Sequence, residues 1–191
     1  MRYALFLPFF ILLLSVNLII FDPTFYEKEI ENYALYEEQV DNLLDFFKGG
    51  TLDEKNYSER EILHLGDVRN LIWMSLALLI FLSILCISSL RKKTKEQMKK
   101  ECILGGLYTL LGIVLLSLTL LGFSYVFTIF HQIFFTNDLW LLPANSLLIQ
   151  MFPERFFIES TKQILLYSLI FSLLSIALGI FPRRKKYGRR A

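Results

Sequence analysis

Four stretches of this chain carry no Lys, Arg, Asp or Glu: Tyr3 to Phe21, Leu71 to Leu90, Cys102 to Phe127 and Ile164 to Phe181. Each approaches or exceeds the ~18 to 20 residues that a helix needs to cross a hydrocarbon core. Hydrocarbon offers no partner to a backbone N–H or C=O, so a spanning segment must pair its own backbone, and a helix does so within one run. The expected fold class is therefore all-α: a polytopic membrane protein with four transmembrane helices and an extracellular cap built from the two long connections. The first run, with FDPTFY after it and no small-x-small cleavage site, reads as an uncleaved anchor.

The distribution of charge sets the orientation. RKKTKEQMKKE after the second run holds six Lys or Arg, and the tail PRRKKYGRRA holds six more, whereas Asp22 to Arg69 has thirteen acidic residues against five basic ones. The positive-inside rule places both basic segments in the cytoplasm. The expected organisation is transmembrane helix 3–21, cap 22–69, helix 70–90, basic loop 91–101, helix 102–127, second cap part 128–161, helix 162–181 and basic tail 182–191. Topology and anionic headgroups account for the basic tail, so no nucleic-acid partner is expected. Cys86 and Cys102 lie toward the cytoplasmic ends of their helices and read as packing residues, not as a disulfide.

Within the first cap part, Thr24 and Glu27 have capping-box spacing. From there one amphipathic helix is expected to run to Gly49-Gly50, its stripe of Ile30, Tyr33, Val40, Leu43, Leu44 and Phe47 packed on the protein's own helices. Ser58 and Glu61 form a second capping box, which gives Glu61 a sufficient structural task. The second cap part is aromatic and broken by Pro143 and Pro153, as suits an interfacial segment. Ser168, Ser172, Ser175 and Gly179 form a small-residue stripe of the kind that lets a neighbouring helix approach closely.

The chain has two histidines, and both fall in one layer where the cap meets the outer leaflet. His64 precedes the second apolar run by about two turns and His131 follows the third by about one. Imidazole titrates near pH ~6.5, so at neutral pH such a pair can take a proton from one group and give it to another. Asp67 is positioned either to orient His64 or simply to share its helix face, and Arg69 either to hold a carbonyl or headgroup or to anchor the start of the span. No GxSxG, phosphate-binding glycine loop, HExxH or CxxC is present, and a zinc site would lack an identifiable third ligand.

At EREILHLGDVR together with FHQIFFTNDLWLLPANSLLIQMFPERFF the chain resembles the lipoprotein intramolecular transacylase family of small bacterial membrane proteins. The resemblance covers most of the chain. It implies an O-to-N acyltransferase of the bacterial plasma membrane, with termini in the cytoplasm and no cofactor or metal, acting on diacylglyceryl-modified lipoproteins. The sn-2 acyl chain would move to the α-amine of the N-terminal cysteine, giving the lyso-form. His64 and His131 would be the catalytic pair. Trp140, Phe134, Phe135, Tyr33 and Tyr36 would exclude water around the lipid acyl chain. A monomer is expected. Two other readings stay open at this point: a non-catalytic protein whose acidic cap binds an outer partner, and a metal-dependent lipid hydrolase.

Overall fold

The computed structural model describes residues 3–91 and 93–181. Lys92 and the basic tail 182–191, both used in the charge argument, lie outside them. The described residues form eight α-helices and no strand: α1 (Tyr3–Ile20), α2 (Pro23–Glu29), α3 (Glu37–Lys48), α4 (Glu59–Arg91), α5 (Lys95–Ser117), α6 (Phe123–Phe134), α7 (Leu147–Met151) and α8 (Glu154–Ile180). Four units are long and apolar enough to cross a membrane: α1, α4, the rod formed by α5 and α6 through a 3₁₀ turn, and α8.

The bundle is closed on one side by small residues. α5 runs along α8, α1 packs against both, and α4 leans mainly on α1. A Cβ on Gly106 would stand 2.9 Å from the Ser172 carbonyl oxygen, and one on Gly179 would stand 2.7 Å from that of Lys99, so the α5 and α8 backbones meet at a distance only glycine permits. Ser172 Oγ donates to the Gly106 carbonyl at 2.8 Å and Ser175 Oγ to that of Cys102 at 2.9 Å, while Ser168 Oγ meets Ser15 Oγ of α1 at 3.1 Å. The serine stripe is thus a packing seam whose hydroxyls are satisfied inside the bundle.

The connections gather at the end where α1 finishes and α4 and α8 begin. The single cap helix expected from Thr24 to Gly49 is replaced by two. Asp22, not Thr24, caps α2: its Oδ1 accepts from the Thr24 N–H at 3.1 Å and from Thr24 Oγ1 at 2.7 Å, with Pro23 at the first helical position. The chain then breaks at Ile30 and passes through Asn32 in the left-handed region (φ 55°). The break has a packing cause. Ile30 and Val40 belong to one buried cluster with Tyr26, Leu44 and Phe156, whereas a straight helix would set them about 15 Å apart along its axis. Gly49 ends α3 at φ 113°, as the sequence leads one to expect.

A second cluster, Leu43, Phe46, Phe47, Leu65, Ile72, Leu148 and Met151, joins α3, α4 and α7. The apolar face of α3 therefore packs on the protein's own helices. α4 continues unbroken for 33 residues, so the turns carrying His64 are the span's own extension into the cap layer.

Candidate active site

His64 lies about a turn and a half into α4, and His131 lies in the last turn of α6. Their ring centroids are 6.2 Å apart with planes tilted by 32°. Both residues are nearly buried, at 9% and 8% exposure; His64 stands before the charge-free stretch of α4, and His131 lies near the end of the charge-free run that continues to Asn137. Phe135, where α6 ends, touches both rings, 5.2 Å from His64 and 5.5 Å from His131. Trp140 stacks 4.9 Å from His131 on one side, and Phe127 meets it edge-on at 4.3 Å. The two imidazoles lie side by side among aromatic rings, with Phe135 in contact with both.

Their hydrogen bonding differs. His131 Nδ1 lies 2.7 Å from the Phe127 carbonyl oxygen. A carbonyl only accepts, so this contact assigns the neutral proton to Nδ1 and leaves the Nε2 lone pair open. His64 Nδ1 is buried without a hydrogen-bond partner. Burial pushes the His64 imidazole below its ordinary range. The neighbouring His131 lowers His64 further while Asp67 opposes the shift. At neutral pH His64 is uncharged, and His131, its Nδ1–H tied to the Phe127 carbonyl, is the better-supported proton acceptor.

The other residues singled out from the sequence scatter around this pair. Asp67 accepts from Asn137 Nδ2 at 2.9 Å. Arg69 turns toward α3, its guanidinium 4.2 Å over the Phe46 ring. Phe134 stacks on Phe130 at 4.7 Å and is half exposed. Tyr33 and Tyr36 pack in the cap clusters; the Tyr36 hydroxyl meets Gln150 Oε1 at 3.5 Å. Of the nine residues, His64, His131, Phe135 and Trp140 come together, Asp67 flanks them, and Arg69, Phe134, Tyr33 and Tyr36 stand apart. Among the described residues no group of three His, Cys, Asp or Glu gathers to hold a metal ion.

Two contributors escape a reading of the sequence. Phe127 had a usable signal, four residues before His131 on the same helix face. Glu61 had only half of one: its Oε2 accepts from the Ser58 N–H at 2.8 Å, as the capping box implies, but Oε1 accepts from the Leu148 N–H at 2.9 Å, 87 residues away.

A sequence model for the lipoprotein intramolecular transacylase Lit matches residues 1–157 of the chain. The chain belongs to the lipoprotein intramolecular transacylase family. A curated relative from Aquifex aeolicus, described as an uncharacterized protein, is 23% identical over 139 residues, 72% of this chain and 63% of that protein; the chain spans less than two thirds of that relative's length. Among solved structures, the membrane integral lipoprotein intramolecular transacylase Lit from Bacillus cereus superposes with a TM-score of 0.77 at 23% identity, covering 92% of this chain and 90% of that one. A histidine-to-arginine variant of the same protein gives 0.78 at 21% identity, with 93% and 87% covered. The family's fold is thus the fold of this chain, a four-span membrane protein.

Proposed function

We propose that this chain moves the sn-2 acyl group of a diacylglyceryl-modified lipoprotein to the α-amine of its N-terminal cysteine, with His131 as the base and His64 as the group that steadies the oxyanion. The observation that carries the reading is the pairing of two imidazoles 6.2 Å apart among aromatic rings, in a chain of this family.

The reaction needs no nucleophile from the protein. Ester and amine belong to one molecule, and well-oriented intramolecular attack reaches effective molarities of ~10⁵ to 10⁸ M. The amine nitrogen adds to the ester carbonyl carbon and its proton passes to His131 Nε2, whose partner nitrogen is already committed to Phe127. The oxyanion that forms needs a hydrogen-bond donor close by, and neutral His64 supplies an N–H without first having to be protonated. As the C–O bond breaks, the glyceryl oxygen takes the proton back from His131. The amide replaces the ester, and both histidines end as they began. Such proton transfer is typically worth ~10² to 10⁴ in rate. Trp140 and Phe135 keep water from the tetrahedral centre, so that acyl transfer outruns hydrolysis.

In this reading the cap layer faces outward from the bacterial plasma membrane, the termini lie in the cytoplasm, the chain acts as a monomer, and diacylglyceryl lipoproteins reach the pair from the outer leaflet. The test is mass spectrometry of a reporter lipoprotein's N-terminal lipopeptide in a host lacking N-acylation. The wild type should move one acyl chain onto the cysteine nitrogen at unchanged mass, and His64→Gln or His131→Gln should stop it. A reporter left with a free amine beside well-folded wild-type protein overturns the reading.

A further inference from the structure

The connection from α6 to α7 carries Trp140 onto His131, and side chains of α4 hold it from two places: Arg60 and Asp67 reach the connection itself, and Glu61 holds the first turn of α7 that ends it. Arg60 donates to the Asp138 carbonyl, Asp67 accepts from Asn137, and Glu61 accepts from the Leu148 N–H. The first two contacts are exposed. Glu61 is different, at 3% exposure.

A carboxylate used only to cap its own helix can stay in water, and burying one is costly unless its oxygens are fully hydrogen-bonded. Glu61 meets that condition by serving two segments at once. Oε2 takes the Ser58 N–H at 2.8 Å and the Ser58 hydroxyl at 2.7 Å, while Oε1 takes Leu148 from the far segment. Burial pushes its pKa up, but the Leu148 and Ser58 donors more than offset this and hold it below the ordinary carboxylate range, so the clamp is ionised at neutral pH. Glutamine could not replace it in full: donors converge on both oxygens, and an amide presents one acceptor and an NH₂.

We propose that Glu61 is a positioning residue for the histidine pair: one turn before His64, it clamps the start of α7 to α4, and by fixing that end of the α6–α7 connection it holds Trp140 against His131. For its catalytic consequence the proposal rests on the transacylase reading; for its geometry it stands alone. Ser58 separates the two roles of Glu61. Ser58→Ala weakens the local cap and leaves the Leu148 bond, whereas Glu61→Ala removes both.

The experiment uses the full chain with Trp73→Phe, which leaves Trp140 as the only tryptophan. In this parent, Trp140 emission should be quenched as His131 protonates at low pH. Glu61→Ala should shift the emission to the red, abolish the pH-dependent quenching and lower kcat by about 10²-fold with KM within about threefold, the cost of a misplaced site. Glu61→Gln, close in shape and expected to fold, should give an intermediate loss. Ser58→Ala should lower the unfolding temperature while leaving emission, quenching and kcat near the parent. Equal effects from Glu61→Ala and Ser58→Ala, or unchanged emission and kcat in both Glu61 variants, overturn the proposal. If the parent transacylates no lipoprotein, the transacylase reading fails and the Trp140 signal alone decides the clamp: a change in the Glu61 variants but not in Ser58→Ala supports it, and no change overturns it.

Discussion

The seam between α5 and α8 and the layer around the histidines are held together by different means. In the seam, glycines and serines bring two backbones into contact, and every serine hydroxyl finds a partner inside the bundle. In the histidine layer, aromatic rings meet at 4 to 6 Å, one imidazole nitrogen has no partner, and single side chains tie the connections down. Packing of the first kind tolerates no added volume. An arrangement of the second kind loses position before it loses stability. Damage to the seam should therefore unfold the protein, and damage to the layer should leave folded protein that does not work.

The sharpest way to break this contrast is to replace either histidine by glutamine. Each change should cost ~10² to 10⁴ in kcat, the usual worth of a proton-transferring or charge-stabilising group, while the unfolding temperature in detergent stays close to the wild type. A parallel collapse of stability would erase the distinction. Next in size is Gly106→Val in the seam. Its Cβ would come within 2.9 Å of the Ser172 carbonyl, and overpacking of this kind costs about 1 to 3 kcal/mol. Thermal unfolding should show the loss, and the fraction that remains folded should keep its kcat.

Trp140→Leu tests the aromatic packing on His131. Total turnover should fall by about tenfold or less, but a larger share of the acyl chain should appear as free fatty acid, because a smaller side chain admits water beside His131. Chromatographic separation of fatty acid from N-acyl product measures that share directly.

A gentler test uses pH. His64 is held below its ordinary pKa by burial and by His131, against the opposing pull of Asp67. The unfolded chain therefore binds a proton near pH ~6.5, before the folded one does, so stability is full above that value and declines as pH falls below it, by at most ~1.4 kcal/mol per pH unit from this group. His64→Gln should flatten that part of a stability curve. The smallest effect belongs to Asp67→Asn, whose exposed bond to Asn137 should be worth about 1 kcal/mol or less in unfolding.

What could be read from the sequence follows the same division. The four spans were legible because hydrocarbon leaves a segment only one way to satisfy its backbone, and the serine stripe was legible because spacings of four, three and four fix a helix face. The histidine layer was legible as a depth, counted in turns from the ends of the spans, but not as a contact: whether His64 meets His131 depends on how α4 and α6 are rotated. The break at Ile30 was hidden because Tyr33 and Val40 continue a helical pattern that the cluster around Phe156 overrides. Arg69 and Tyr36 were plausible neighbours of the pair by depth alone, and the side of the helix or the cap on which each sits decided otherwise. The second bond of Glu61 had no local trace at all.

The central claim is that acyl transfer occurs within one substrate molecule at the two histidines, and a crossover experiment tests it most directly. Two lipopeptides are mixed with the purified protein, one with an isotopically labelled sn-2 chain on a light peptide and one with an unlabelled chain on a heavy peptide. The account predicts N-acylated products that keep their original pairing of chain and peptide, with none formed by His131→Gln. Scrambled pairing, or product formed equally well without His131, would contradict it.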